Sequence, residues 1–186
     1  TLDRSSAASD VYKRQGLVVD DQTGTIVARG FNKFFNLGEL QNFGVDVDLD
    51  SHGLIMDKMD GSLGLAYKMG DYWRVSTAGS LRSDQAIHAT KVMNDRYGDT
   101  DYTPGKTMLV EIIYPDNRIV TDYGNKDDLV LLGGADTNGH WVSPDDFSYS
   151  GPRVERRRGS IRDVLNTADP EDPSSGSAVL RTSRML

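Results

Sequence analysis

The sequence predicts an α+β domain built on antiparallel sheets. Three observations carry this: short apolar runs alternate with turn residues through the middle of the chain, one clearly amphipathic helix interrupts them, and no regular strand–helix alternation of the doubly wound kind is present. In chain order, Gly16 to Asp20 and Thr25 to Arg29 are joined by Asp21-Gln22-Thr23-Gly24 and read as a hairpin. His52 to Lys58 and Ser62 to Lys68 flank Asp60-Gly61, a favoured tight-turn pair, and so read as the next antiparallel pair. Tyr72 to Thr77 follows the Gly70-Asp71 turn. Ser83 is a suitable N-cap for a helix over Asp84 to Tyr97, because Ala86, Ala89, Met93 and Tyr97 fall on one face. Thr107 to Tyr114 and Arg118 to Tyr123, linked through Pro115-Asp116-Asn117, read as a further strand pair, and Leu129 to Gly133 as another strand. A shorter helix is expected over Ser160 to Asn166, and a strand starting at Ala178-Val179-Leu180-Arg181. No segment repeats with a fixed period.

Composition narrows the function classes. The chain has 186 residues, 37% hydrophobic and 26% charged, enough apolar material for a packed core in one domain or a domain and part of a second. No apolar run approaches the roughly 18 residues needed to cross a bilayer, and no signal-peptide pattern opens the chain. With no Cys, disulfide scaffolds, thiol nucleophiles and Cys-bearing zinc sites are excluded, and the composition fits a reducing compartment. Against 28 Asp+Glu stand 21 Lys+Arg, a net charge of −7, which argues against indiscriminate coating of nucleic acid but not against a local basic groove.

The two ends read differently from the middle. Ser5 to Gln15, SSAASDVYKRQ, resembles the in-frame translation of a transposase-type sequencing-library adapter, so residues 1–15 are expected to be an artefactual or disordered tail, with native sequence starting near Gly16. Ala168 to Gly176 is a polar, Pro-containing loop, and the chain stops soon after it. Residues 16–186 are therefore expected to form one domain cut from a longer reading frame at both ends.

Two nucleotide-binding signatures fail on inspection. Gly105-Lys106-Thr107 ends like a phosphate-binding loop, but Thr100 stands where that loop needs a glycine, and no G-x-G-x-x-G follows a strand. His52, His88 and His140 lack metal-ligand spacing and read as surface or packing residues.

The informative element is Lys58-Met59-Asp60-Gly61-Ser62-Leu63, a lysine at the end of one strand with a D-G turn leading into the next. A lysine amine held neutral and in line can attack the α-phosphorus of a nucleoside triphosphate, and a glycine beyond it allows close backbone approach. Upstream, Arg29-Gly30-Phe31-Asn32-Lys33-Phe34-Phe35-Asn36-Leu37-Gly38-Glu39 combines a cation with aromatics. It reads either as a loop anchored by its Phe residues or as Lys33 aimed at phosphate with Phe35 beside a base. Downstream, Glu111 lies inside the apolar strand Leu109-Val110-Glu111-Ile112-Ile113, where alternation puts it on the face of Leu109 and Ile113. A carboxylate there needs a partner. A ribose hydroxyl and a structural Arg or Lys are the two candidates.

In order, Lys33 to Glu39, Lys58 to Leu63, and Val110-Glu111-Ile112-Ile113-Tyr114-Pro115-Asp116-Asn117-Arg118-Ile119-Val120 resemble the phage-type ATP-dependent RNA ligases of the RNA ligase 1 kind, in the covalent nucleotidyltransferase superfamily. The resemblance covers essentially Gly16 to Leu186, and its first and third segments separate this branch from the rest of the superfamily. It implies an antiparallel-sheet nucleotidyltransferase fold and a covalent lysyl-AMP on Lys58, with Asp60, Gly61 and Ser62 shaping the pocket. It also implies that Glu111 contacts the nucleotide sugar, and that Lys33 and Phe35 line the ATP site. ATP and Mg2+ are the implied cofactors, an RNA 5′-phosphate and 3′-hydroxyl the implied partners, and the cytoplasm of a bacterial or phage-infected cell the implied setting.

The chain departs from the family pattern at several positions. Gln15 stands where the family has Arg, Ala78 where it often has Arg or Lys, Ser175-Gly176-Ser177 offers no motif IV Glu, and the motif V K-x-K would fall after Leu186. An inactive form of the ligase domain is the resulting expectation. The alternatives are a non-catalytic nucleotide- or RNA-binding module, and a related DNA ligase or capping-type nucleotidyltransferase. Arg153, Arg156, Arg157, Arg158 and Arg162 read either as a solvated lead-in to the Ser160 helix or as a phosphate-contacting RNA stripe.

Overall fold

The computed structural model describes residues 16–44, 46–167 and 178–181. The tail over residues 1–15, the Gln15 departure and the Ser175–Ser177 segment lie outside the described residues. The described residues gather into two compact units: residues 16–33 with Asp60–Arg153, and the described residues of Phe34–Met59 with those from Val154 onward.

The first unit is built on an antiparallel sheet of five strands. Its order is β5 (Tyr72–Thr77), β4 (Ser62–Met69), β6 (Lys106–Ile113), β7 (Asp128–Asp136) and β8 (Trp141–Val142). β4 and β6 alternate in the expected way. Val110 and Ile112 join Val75, Leu129 and Leu131 in the main core on one face, while Leu65 and Leu109 cluster with Ala135 on the other. Helix α2 (Asp84–Tyr97) covers the main-core face, burying Ala86, Ala89, Val92 and Met93. Its start follows the sequence: the Ser83 hydroxyl accepts the Ala86 N–H at 3.3 Å. On the opposite face the hairpin of β1 (Leu17–Val19) and β2 (Ile26–Arg29) brings Gly16 and Gly30 over Leu65, where a Cβ on either would stand 3.5 or 3.8 Å from the Leu65 side chain.

The second unit holds a three-stranded antiparallel sheet of order β10 (Ala178–Arg181), β3 (His52–Asp57) and β9 (Arg156–Ser160). It also holds helices α1 (Leu37–Asn42) and α3 (Ile161–Thr167). Ser160 and Asp163 close the start of α3: the Ser160 N–H donates to Asp163 at 2.6 Å, and the Asp163 N–H to the Ser160 hydroxyl at 3.2 Å. Arg162 pairs with Asp50 through two bonds of 2.5 and 3.0 Å, which holds the Asp50 carboxyl below the usual range.

Three sequence expectations need correction. β3 and β4 belong to different sheets, so Asp60-Gly61 is not a hairpin turn. Residues 118–123 form a loop, and β6 pairs with β7 instead. The apolar pair Ile119 and Val120 that suggested a strand is 61% and 71% exposed. Finally, Leu37–Asn42, read as loop, is a short helix in which the Asn36 N–H donates to the Glu39 carboxylate at 2.9 Å. Among the described residues no helix is long and apolar enough to cross a membrane.

A phenol–carboxylate group ties α2 to β7. Tyr97 donates to Asp128 at 2.5 Å, Tyr149 donates to the Leu129 carbonyl at 2.6 Å, and the two rings pack 4.7 Å apart. Burial first, and then the Asp128 carboxylate, push the Tyr97 pKa up to about 12. A folded-state pKa above the ordinary value near 10 means this contribution is complete below about pH 10 and is lost as pH rises through about 12. Tyr97→Phe should cost about 1 kcal/mol at neutral pH and flatten the alkaline fall in stability, read by urea unfolding across pH.

Candidate functional site

The site is built around the segment entering β4. Asp60, Gly61 and Ser62 each spend their polar groups on β6 or on the loop after it. The Gly61 N–H donates to Oε1 of Glu111 at 2.9 Å. Ser62 donates to the Asn117 side-chain oxygen at 3.1 Å, and the Asn117 amide donates to the Ile112 carbonyl at 2.8 Å. The Asp60 N–H donates to the Tyr123 hydroxyl at 3.0 Å, while its carboxylate accepts the Val120 and Thr121 N–H groups at 2.7 and 2.5 Å. These bonds explain two of the three corrected expectations. The D-G segment is tied to β6 rather than closing a hairpin, and residues 118–123 are held as a loop by Asp60.

Gly61 is required by space. A Cβ there would lie 2.5 Å from the Ile112 carbonyl oxygen and 3.2 Å from Cγ of Glu111. Glu111 is 8% exposed, and its position opposite Leu63 in the β4–β6 register brings it beside the segment entering β4. One partner of Glu111 is a group the sequence did not suggest. Oε1 takes a backbone N–H, which satisfies a carboxylate in an apolar strand.

Lys33 belongs to the same unit, on a segment fixed against the Leu109 face. Phe31 packs on Leu65, Leu109 and Ala135 and stacks on Trp141 at 5.8 Å. Trp141 lies over Gly133, where a Cβ would come within 2.2 Å of the indole. The Asn32 amide donates to the Gly139 carbonyl at 3.0 Å, and the Arg29 N–H to the Thr107 hydroxyl at 2.9 Å. Thr107, part of the failed phosphate-loop signature, thus serves packing. Since Leu109 and Glu111 share a face of β6, the Phe31–Lys33 segment and Glu111 stand on the same side of the sheet.

Lys58 belongs to the second unit, exposed and directly after β3 ends at Asp57. Phe35 lies in that unit too, its ring edge-on to Phe43 at 6.0 Å. The arginine group divides. The Arg153 guanidinium, in the first unit, donates to the carbonyls of Pro144, Phe147 and Tyr149, the last two at 3.0 and 2.7 Å, so it clamps a loop. Arg156, Arg157 and Arg158 form β9. Register places Arg156 and Arg158 on one face, opposite Met56 and Leu54, and Arg157 on the other, opposite Ile55. The strand thus divides three consecutive cations between its two faces.

Sequence reasoning missed Asn117 and Tyr123 as site-building residues. Asn117 stood within the string that carried the resemblance, and its burial was the missing signal; Tyr123 had been placed in a strand.

These geometries describe a buried carboxylate and a close-packed glycine at the segment that enters β4. Comparison with known proteins gives the class. Residues 13–146 match the RNA ligase family of the T4 RNA ligase 1 type, and the chain belongs to that family. It is also 29% identical over 152 residues to a protein of Autographa californica nuclear polyhedrosis virus that bears the provisional name of bifunctional polynucleotide kinase/RNA ligase. That match takes in 66% of this chain and 21% of the viral protein, so the chain spans about a fifth of its relative's length.

Removing the Glu111 carboxylate leaves the Gly61 N–H without its acceptor. Glu111→Ala should therefore cost about 1–3 kcal/mol in urea unfolding, Glu111→Gln less because an acceptor oxygen remains. Gly61→Ala should cost a similar 1–3 kcal/mol through overpacking against Ile112.

Proposed function

We propose that the chain is the adenylyltransferase part of an ATP-dependent RNA ligase, with Lys58 as the nucleophile. The observation that carries this reading is the Gly61–Glu111 hydrogen bond, which joins the second and third segments of the family resemblance into one piece of structure. Covalent geometry alone keeps the Lys58 Cα within about 11 Å of the Gly61 Cα. A fixed Gly61 therefore limits where the lysine amine can reach.

In the first step the neutral Lys58 amine, having given a proton to solvent, attacks the α-phosphorus of ATP. A P–N bond forms, the bond to the bridging oxygen breaks, and pyrophosphate leaves. An RNA 5′-phosphate oxygen then attacks the same phosphorus, breaking the P–N bond and regenerating Lys58. Finally an RNA 3′-hydroxyl attacks the 5′-phosphorus of the adenylated strand and expels AMP.

The other residues have binding roles in this reading. Glu111 offers further lone pairs to the ribose hydroxyls beyond the bond from Gly61, Lys33 meets the phosphates and Phe35 the base. Among the described residues no group of three or more His, Asp or Glu is placed to hold a metal ion. Magnesium is commonly bound by one or two carboxylates with substrate phosphates and water, so here it would accompany the nucleotide, offsetting charge repulsion among the phosphates.

The test is incubation of the chain, and of a version extended at both ends, with α-labelled ATP and magnesium, followed by peptide mass analysis. AMP on Lys58 of the extended version, lost in Lys58→Ala and not formed from GTP, is the expected result, with RNA ends rather than DNA ends accepting the AMP. No adduct on either, with salt-sensitive RNA binding retained, would replace the ligase reading by the non-catalytic binding module.

A further inference from the structure

The first unit contains a recess beside the segment that enters β4. Its lining includes Asp60, Tyr114, Asn117, Arg118, Tyr123 and Lys126, and neither Lys33 nor Glu111 belongs to it. Its volume, about 150 Å³, is room for one ring of nucleobase or ribose size. Ile113 and Pro115 add apolar surface to walls that are otherwise mainly polar and aromatic, so the recess suits a ring with both a face to pack and edges to hydrogen-bond.

The lining carries two carboxylates, Asp60 and Asp122, and two cations, Arg118 and Lys126. The Asp60 carboxylate is taken up by the Val120 and Thr121 N–H groups. Asp122 pairs with Arg118 at 2.8 Å and also accepts the Gly124 N–H at 2.8 Å. Beyond the lining, Asp127 is held by His88 and Arg96 at 2.7 and 3.2 Å. Lys126, exposed at the rim, is in no ion pair among the described residues. Two hydrogen-bonding side chains face the same space: Tyr123, whose hydroxyl accepts from Asp60 and keeps its own proton to donate, and Asn117. A cation beside aromatic rings and amide groups is the combination that single-stranded nucleic acid uses, phosphate on the cation and ring on the aromatic.

We propose that this recess seats one nucleotide of the RNA strand, with Lys126 contacting its phosphate and Tyr123 beside its ring. The assignment rests on the RNA ligase reading above. The phosphate chemistry is shared with ATP, so the experiment separates the two sources. Binding of a 5′-phosphorylated single-stranded oligoribonucleotide to the chain is measured by fluorescence anisotropy over a range of salt, for the parent, Lys126→Gln and Lys126→Arg. Adenylation is followed in parallel as a function of ATP, without RNA.

Lys126→Gln should weaken RNA binding several-fold and reduce the slope of log K against log salt by about 0.7, the share of one phosphate contact on a single strand. Lys126→Arg should keep most of both, and adenylation should keep its ATP dependence in either variant. Unchanged RNA affinity and slope in Lys126→Gln would overturn the proposal. So would an altered ATP dependence with RNA binding intact, which would give the recess to the triphosphate. If the parent forms no adduct yet Lys126→Gln still loses RNA affinity and slope, the recess stands and the lysyl-AMP reading falls. If the adduct forms and Lys126 is silent in RNA binding, the reverse holds.

Discussion

The hydrogen bond from the Gly61 N–H to Glu111 is the constraint on which the rest of the site depends. A carboxylate in the middle of an apolar strand is unfavourable unless something satisfies it, and a backbone N–H at a chain turn is unfavourable unless something accepts it. Each solves the other's problem. The exchange is open only to glycine, because the Ile112 carbonyl leaves no room for a Cβ on the approaching segment. The same contact that stabilises β6 therefore fixes the path of the chain just beyond Lys58.

Around this bond the structure adds supports that act in the same direction. Ser62 and Asn117 bind the start of β4 to the end of β6, and Asp60 gathers the loop after β6 onto the same segment. Behind them lies a core of fully buried side chains, Val75, Val110, Ile112 and Leu131 among them, with α2 across it. A sheet packed on one face by a helix is a rigid base for binding groups. Against its second face pack the β1–β2 hairpin and the Phe31 segment, and that segment carries Lys33.

Much of this scaffold was legible in the sequence, for identifiable reasons. Helix α2 was readable because Ser83 supplies a cap and residues 86, 89, 93 and 97 keep a helical spacing. β6 was readable from its apolar run, and the position of Glu111 in it signalled a buried carboxylate in need of a partner. The identity of that partner was not readable, because it is a backbone N–H fifty residues away and carries no side-chain signature. Asp60-Gly61 looked like a hairpin turn since local propensity favours one, and tertiary bonds to Tyr123 and Glu111 decided otherwise. The apolar pair Ile119-Val120 misled for the same reason, and Asn36 with Glu39 held a capping-box spacing that marked α1. For the arginines, charge was legible and direction was not: β9 sends Arg157 to one face and Arg156 and Arg158 to the other, and Arg153 donates to three carbonyls.

The central claim, that Glu111 locks the chain after Lys58 through the Gly61 amide, is tested most directly by amide hydrogen exchange at Gly61. The account predicts protection at Gly61 comparable to that of the β4 and β6 amides, lost locally in Glu111→Ala while the α2 amides stay protected. A Gly61 amide that exchanges rapidly in the parent chain, or whose protection is unchanged when the carboxylate is removed, would contradict it.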